Sequence, residues 1–321
     1  MSSSRTTILR WTGKGSLDAL RSSVEYVLAV EGVKARVSNL GDSVTVAGAE
    51  PLHLAALFGY LPGVSWVAVG FTAGSLEELS VAARVLARRY LRKGDRFFVD
   101  AEGTAGVLGS DASGVVTSAV LDAAKGARVS DESPRARFRA AFDGDKGVAG
   151  VEVRRGPGGT PTGEEQVLCL VSGGIHSSVV AWEAVVQGFR VRLLHARYSE
   201  ESLRAVARLY SELTHRADPR GLSLEVLEGG SVGDALSKHA MSFRGKVFAG
   251  YTPDAQGKQL PKVLSPLYLL SDEKFASEFE ALGIKSFDGP EDWDRETGSK
   301  LLSRKFAGRR ADVSDILDGL V

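Results

Sequence analysis

Residues 166–178 read QVLCLVSGGIHSS. This order of residue types constrains the fold more than any other part of the chain. QVLCLV is a short apolar run without helical periodicity, which suits a strand buried on both faces of a sheet. The glycine pair that follows lets backbone N–H groups approach an anion closely, and the start of the next helix is electropositive. The stretch therefore predicts a strand, a turn and a helix, with the turn as a candidate phosphate cradle. A glycine pair at such a place is also an ordinary way to turn from strand to helix. The motif is not a Walker loop, because no Gly-Lys-Ser/Thr follows.

Downstream of this stretch the residue types alternate regularly. Strands are expected over 166–171, 190–196, 223–227 and 246–249, and helices over 177–187, 200–214 and 232–241. Strands separated by helices imply a parallel sheet with covered faces. In such sheets ligands bind beyond the C-terminal strand ends, where the strand order switches. SGGIHSS follows the first of these strands. An irregular Gly/Pro/Gln segment then spans 250–264, followed by an apolar run at 266–270 and a helix expected over 273–282. The charged tail from Asp292 carries the basic cluster Arg304, Lys305, Arg309 and Arg310, read as a solvated surface.

Upstream, a connector reads GPGGTPTG over 156–163. Its composition marks a domain joint. Three domains are expected, over 1–60, 61–158 and 159–321. In the first, strands over 6–11, 33–37 and 43–46 and helices over 16–30 and 51–60 follow the order β-α-β-β-α, that of a small split βαβ sandwich with helices on one face. Ser16 is the expected N-cap of the first helix. In the second, a strand at 64–71 (VSWVAVGF) leads through Gly74 and Ser75 into a helix ending near Leu91. Glu77 and Glu78 open that helix. Arg84, Arg88, Arg89, Arg92 and Lys93 run toward and past its end, in the order that the helix dipole favours. That face reads as a solvated amphipathic surface or as an RNA contact. A strand over 96–101, a helix over 111–125 and two strands over 135–142 and 148–154 complete the domain.

Composition narrows the function. Forty basic and forty acidic side chains give a net charge of zero, so the whole chain lacks the basic excess common in nucleic-acid binders. Cys169 is the single cysteine, which excludes an internal disulfide and any CxxC motif. No apolar run approaches the roughly 18 residues of a membrane span, and MSSSRTTILRW lacks the apolar core of a signal peptide. A cytoplasmic location without a membrane partner is the expectation.

SGGIHSS resembles the PP-loop of ATP pyrophosphatases, whose usual pattern is SGGxDS. GPGGTPTG resembles the joint of tRNA 4-thiouridine synthetases (tRNA sulfurtransferases), which links a THUMP domain to a PP-loop domain. LPGVSWVAV is similar to that family's entry into THUMP, and SPLYLLSDEK to its RPLIxxDKEE stretch. The resemblance implies an α/β protein of the archaeal type, without a rhodanese domain. An N-terminal ferredoxin-like domain, an α+β THUMP domain and a C-terminal parallel-sheet PP-loop domain (adenine nucleotide alpha hydrolase-like) would follow one another. In that family ATP adenylates a tRNA uridine before sulfur is transferred from a persulfide. Carried over by position, the nucleotide would meet Leu170, Val171, Ser172, Gly173, Gly174, Ser177, His195, Ala196, Gly250 and Gln259. His195 reads equally as an ordinary strand-end histidine. The resemblance further implies tRNA as partner, contacted through Arg92 and Lys93, with ATP as cofactor and Mg²⁺ in an active enzyme. A separate sulfur donor and a homodimer complete the expected partners.

The departures from the family lie at its chemistry. His176 stands at the usual Asp of the loop, and Ala249-Gly-Tyr-Thr replaces Thr-Gly-Glu. Ser265 replaces the Arg of RPL, and FFVDAEG at 97–103 is acidic where THUMP usually carries basic residues. Cys169 lies inside an apolar strand, which suits a small core residue rather than a sulfur carrier. No catalytic residue and no metal ligand is assigned. Three readings follow: an ATP-dependent tRNA-modifying enzyme, an RNA-binding or scaffold relative without the chemistry, and an adenylating enzyme acting on another substrate.

Overall fold

The computed structural model describes residues 4–103, 109–228, 230–250, 262–265 and 305–306. The chain divides into two compact units, Met1–Pro161 and Thr162–Val321. No helix among the described residues is long and apolar enough to cross a membrane.

The first unit runs β1 (Arg5–Trp11), α1 (Leu17–Val30), β2 (Arg36–Leu40), β3 (Ser43–Ala47), α2 (Pro51–Phe58) and β4 (Val64–Ala73). It continues through α3 (Leu76–Tyr90), β5 (Arg96–Gly103), α4 (Gly109–Ala123), β6 (Arg128–Val129), β7 (Ala136–Phe142) and β8 (Gly147–Gly158). Its strands form one sheet in the order β2-β3-β1-β4-β8-β7-β5-β6. β4 pairs antiparallel with β1 on one side and β8 on the other, so the sheet continues across residue 60.

The helices begin where their sequences direct. Ser16 accepts the Ala19 N–H, and Ser75 accepts the Glu78 N–H at 3.2 Å. The Glu78 carboxylate in turn accepts the Gly74 N–H, one residue before the N-cap, at 2.7 Å. Leu20, Val24 and Leu28 of α1 and Phe58 of α2 pack on Leu9, Val46 and Val67. Leu79, Ala83 and Leu86 of α3 and Val116 and Val120 of α4 pack on Phe97 and Phe138. Val69 and Val151 belong to these two clusters and are directly paired across β4 and β8. Paired residues share a face, so the helices of this unit cover one face of the sheet.

One expected strand is displaced, and the short strands at Arg128–Val129, Gly230–Ser231, Val263–Leu264 and Lys305–Phe306 are not among those expected. The strand expected over 33–37 forms instead at Arg36–Leu40. Val33 ends α1: its N–H bonds to Leu28 O and the Gly32 N–H to Ala29 O, with Gly32 at φ +64. This is a Schellman stop, and Val33 is its apolar partner rather than a strand residue. The division between the two units falls inside the connector, whose first part is also strand. β8 extends through Gly158 and stays paired with β4 as far as Val64. A Cβ at Gly156 would lie 2.2 Å from Val64 O, so this glycine serves close backbone approach rather than flexibility. Thr12 Oγ1 and the Gly63 N–H each donate to the next part of the segment, at Gly159 O and Gly158 O, at 2.7 Å.

The second unit runs β9 (Gln166–Leu170), α5 (Ile175–Val186), β10 (Arg190–Ala196), α6 (Glu200–Arg216), β11 (Leu222–Leu227), β12 (Gly230–Ser231), α7 (Val232–Ser242), β13 (Lys246–Ala249), β14 (Val263–Leu264) and β15 (Lys305–Phe306). Five strands form a parallel sheet in the order β11-β10-β9-β13-β14. β9 is central. Cys169, Val179, Trp182, Leu193, Val206 and Leu209 form the core on one face, and Leu168, Leu170, Leu194, Ala240 and Val247 that on the other. Gln259, the run at 266–270, the helix expected over 273–282 and Arg304, Arg309 and Arg310 lie outside the described residues.

Candidate functional site

The chain leaves β9 between β10 and β13, which lie on opposite sides of it. The strand order therefore switches at this point, and the loop Ser172–Ser177 sits at the C-terminal end of β9, where α/β sheets bind ligands.

The loop is held by its own hydroxyls. Ser177 Oγ accepts the Ser172 N–H at 3.2 Å and donates to Gly174 O at 3.0 Å. Ser172 Oγ accepts the Gly174 N–H at 3.2 Å, and Ser178 Oγ donates to Gly174 O at 2.9 Å. Ser172 and Ser177, expected as phosphate contacts, also shape the loop, with their hydroxyls 3.3 Å apart. Backbone groups at the start of α5 are further candidate donors. Gly174 is the N-cap of α5 and offers no side-chain cap. The first helical bond is that of the Ser178 N–H to Gly174 O, so the amides of Ile175, His176 and Ser177 precede the ladder. A helix start forms an anion site when the loop before it lets an anion approach.

Two neighbours give the loop its shape. Gly173 has φ +90, and a Cβ there would lie 3.0 Å from Ala205 Cβ and 3.1 Å from Ser202 O. A Cβ at Gly250 would lie 2.5 Å from the Ser177 nitrogen. Glycine at both positions lets α6 and the end of β13 close on the loop. Gly250, expected from the sequence, is therefore brought to the first turn of α5. His176 is half-buried in that turn.

His195 is 0% exposed. Its Nδ1 donates to Val171 O at 2.8 Å, and its Nε2 lies 3.2 Å from Ser202 Oγ. Burial, opposed by the Val171 bond and reinforced by the Arg197 charge, pushes its pKa down to about 4. The ring is neutral at pH 7, with Nε2 as an acceptor. Its enclosure gives it a bracing place in the fold, and the ring itself presents no surface to a ligand. The side chains of Leu170, Val171 and Ala196 are buried as well, which leaves their backbone as the part that faces the strand ends. Cys169 is wholly enclosed, and burial raises its thiol pKa well above the ordinary value.

Tyr198 was not singled out by sequence. Its hydroxyl donates to Ser172 O at 3.0 Å, and its ring centroid lies 5.9 Å from that of His195. The only signal was an aromatic residue just past a strand end. Arg197 beside it pairs with Glu228 at 2.5 Å and with Glu200. Among the described residues no group of three or more His, Cys, Asp or Glu side chains is placed to hold a metal. In the first unit, Arg92 and Lys93 are exposed in the turn between α3 and β5.

The family model described as thiamine biosynthesis protein (ThiI) matches residues 162–240. A tRNA sulfurtransferase of Pyrobaculum aerophilum is 37% identical over 128 residues, covering 40% of this chain and 24% of that protein. The match thus spans about a quarter of the curated relative's length. PH1313 from Pyrococcus horikoshii Ot3 has the same fold, with a TM-score of 0.72 at 19% identity over 87% of this chain and 100% of the other. A 4-thiouridine synthetase solved in complex with RNA and bound ATP has a TM-score of 0.65 at 16% identity, over 99% of this chain and 95% of the other. Residues 162–240 are thus similar to ThiI, and the chain shares the fold of PH1313 and of the 4-thiouridine synthetase.

Proposed function

We propose that the chain binds an adenine nucleotide at the Ser172–Ser177 loop and binds tRNA, in the manner of the tRNA sulfurtransferases to which it is related. The observation that carries this reading is the loop's place: the start of α5, whose N-cap Gly174 supplies no side-chain cap, stands at the switch point of a parallel sheet, behind a glycine pair. The donor set fits a polyphosphate. Backbone N–H groups and a helix start supply positive potential without charged side chains. Bound ATP would supply the activating phosphoanhydride. The residues of this chain would hold its phosphates through Gly173 and the first turn of α5. The relative named for its RNA complex with bound ATP supports both ligands. The division into domains at 1–60, 61–158 and 159–321 belongs to this proposal, as do RNA contacts through Arg92 and Lys93, Mg²⁺ beside the phosphates, a separate sulfur donor, a homodimer and a cytoplasmic location.

Calorimetry tests the reading directly. ATP at millimolar concentration gives a saturable heat if it holds, and no heat with ATP or AMP would end it. Gel shifts with tRNA at low salt test the second half, since phosphate contacts weaken steeply as salt rises.

A second reading, a binding protein without sulfur-transfer chemistry, is favoured by two observations. Cys169 is the one thiol in the sequence and is wholly buried, and His176 occupies the place of the family's loop carboxylate. An assay for tRNA thiolation with ATP and sulfide separates the two: product formation sustains the enzyme, and nucleotide binding without product sustains the binding protein.

A further inference from the structure

The backbone entering the loop is gripped by two rings that follow one another at the end of β10. His195 holds Val171 O at 2.8 Å and Tyr198 holds Ser172 O at 3.0 Å. The peptide unit is planar and trans, so the carbonyl of one residue and the N–H of the next point in opposite directions. The Val171 carbonyl faces His195, and the Ser172 N–H accordingly points the other way, where it meets Ser177 Oγ at 3.2 Å. By the same rule, fixing the Ser172 carbonyl on Tyr198 turns the Gly173 N–H away from Tyr198. Gly173 can take this orientation because its φ is +90, a region that side-chain-bearing residues avoid.

The base of this grip is rigid. Ser202, which meets the His195 ring, also caps α6: its N–H donates to Ser199 Oγ at 3.1 Å, and its Oγ accepts the Ser199 N–H at 3.3 Å. Gly173 packs on the same residue and on Ala205. Tyr198 lies between β10 and this capping box, with its ring beside His195.

We propose that Tyr198 is a positioning residue of the loop: its hydroxyl sets the Ser172–Gly173 peptide so that the Gly173 N–H donates to a phosphate of the bound nucleotide. This rests on the nucleotide reading above for its ligand. Its structural half, the orientation of one peptide, stands on the Tyr198 bond alone. Tyr198 touches no reacting atom in this account.

The test is Tyr198→Phe, which keeps the ring against His195 and removes only the hydroxyl. Amide exchange at Gly173 and Gly174, followed by NMR on the protein without ligand, is expected to quicken several-fold in the variant. Calorimetry with inorganic pyrophosphate, ATP and adenosine is expected to show about a fivefold loss for the first two, as for one hydrogen bond, and no change for adenosine. Equal loss for adenosine and pyrophosphate, or unchanged exchange at Gly173, overturns the proposal. If the wild-type protein binds none of the three, the nucleotide reading fails. The exchange measurement then still decides whether Tyr198 sets the peptide.

Discussion

His195 Nδ1 donates to the carbonyl of Val171 at 2.8 Å, tying the second strand of the C-terminal sheet to the last residue before the loop. The ring is fully enclosed, and burial lowers its pKa from 6.5 to about 4. The folded state therefore resists a proton that the unfolded chain accepts. Stability from this site is complete above pH 6.5 and is lost as pH falls toward 4, where the folded state also binds the proton. The loss over that window is about 3 kcal/mol by linkage. Urea titrations at several pH values are expected to show a falling midpoint across it. His195→Asn should lower stability at neutral pH and flatten the slope. A variant with the wild-type slope would remove His195 from the account.

Gly173→Ala is expected to cost more than Gly94→Ala, although both backbones lie at nearly the same angle. Gly173 has φ +90 and Gly94 φ +88, but the Gly94 Cβ would meet nothing within 4 Å. Gly94→Ala then carries the dihedral cost alone, about 1 kcal/mol. Gly173→Ala adds the approach to Ala205 and Ser202, and an excess of about 1 kcal/mol or more is expected. Thermal unfolding of the two variants measures the difference, and equal midpoints would mean that α6 gives way without strain.

Much of this architecture was legible. Ser16 and Ser75 cap the helices that their positions announced, because an N-cap is a local bond between near neighbours. The parallel sheet and the place of SGGIHSS at its switch point followed from strand–helix alternation. Three things were not legible, each for a physical reason. Val33 reads as strand by its β-branching, yet it closes α1 through a bond to Leu28. Gly156 lies in the joint read from GPGGTPTG, and its further need, close approach to Val64 within β8, is not displayed by composition. Tyr198 acts on a carbonyl 26 positions earlier, which no local pattern displays. His195 was open between ligand contact and ordinary strand-end residue, and only burial shows its ring turned to Val171 and Ser202.

Cys169 provides a reporter of the C-terminal core. It is the single cysteine of the chain, is 0% exposed, and its thiol is held in the protonated form by burial. The thiolate is the reactive form. A maleimide or disulfide reagent at pH 8 is expected to leave the folded protein unlabelled and to label one site in denaturant. Rapid labelling under native conditions would show that the β9 core opens readily.

Arg92→Glu with Lys93→Glu should weaken tRNA binding without harming the fold. Both side chains are exposed. The turn is closed through the Arg92 backbone, whose N–H donates to Asp95 Oδ2 at 2.7 Å, so the side chains are dispensable to it. If each side chain neutralises a phosphate, the slope of log affinity against log salt falls by roughly one for each phosphate no longer neutralised. Unchanged affinity and slope would move the RNA surface elsewhere.

His176→Asp separates the two functional readings. Residue 176 is the second residue of α5, where the helix dipole favours a carboxylate by about 0.3–1 kcal/mol. A small gain in thermal stability is therefore expected with no ligand present. Toward ATP the sign depends on the metal. Without Mg²⁺ a carboxylate in the first turn repels the phosphates, and affinity should fall below that of the wild type. With Mg²⁺ the carboxylate gains a cation to share with the phosphates, which suits a hard, oxygen-seeking ion, and affinity should rise above the wild type. The imidazole of the natural chain has no such dependence, because it offers the ion no anionic oxygen. Calorimetry with ATP in excess Mg²⁺ and in a chelator reads both signs. A crossover between the two conditions makes residue 176 the position that decides whether this loop works with a metal. Equal or lower affinity in Mg²⁺ would leave the difference between this loop and its catalytic relatives to be sought at another residue.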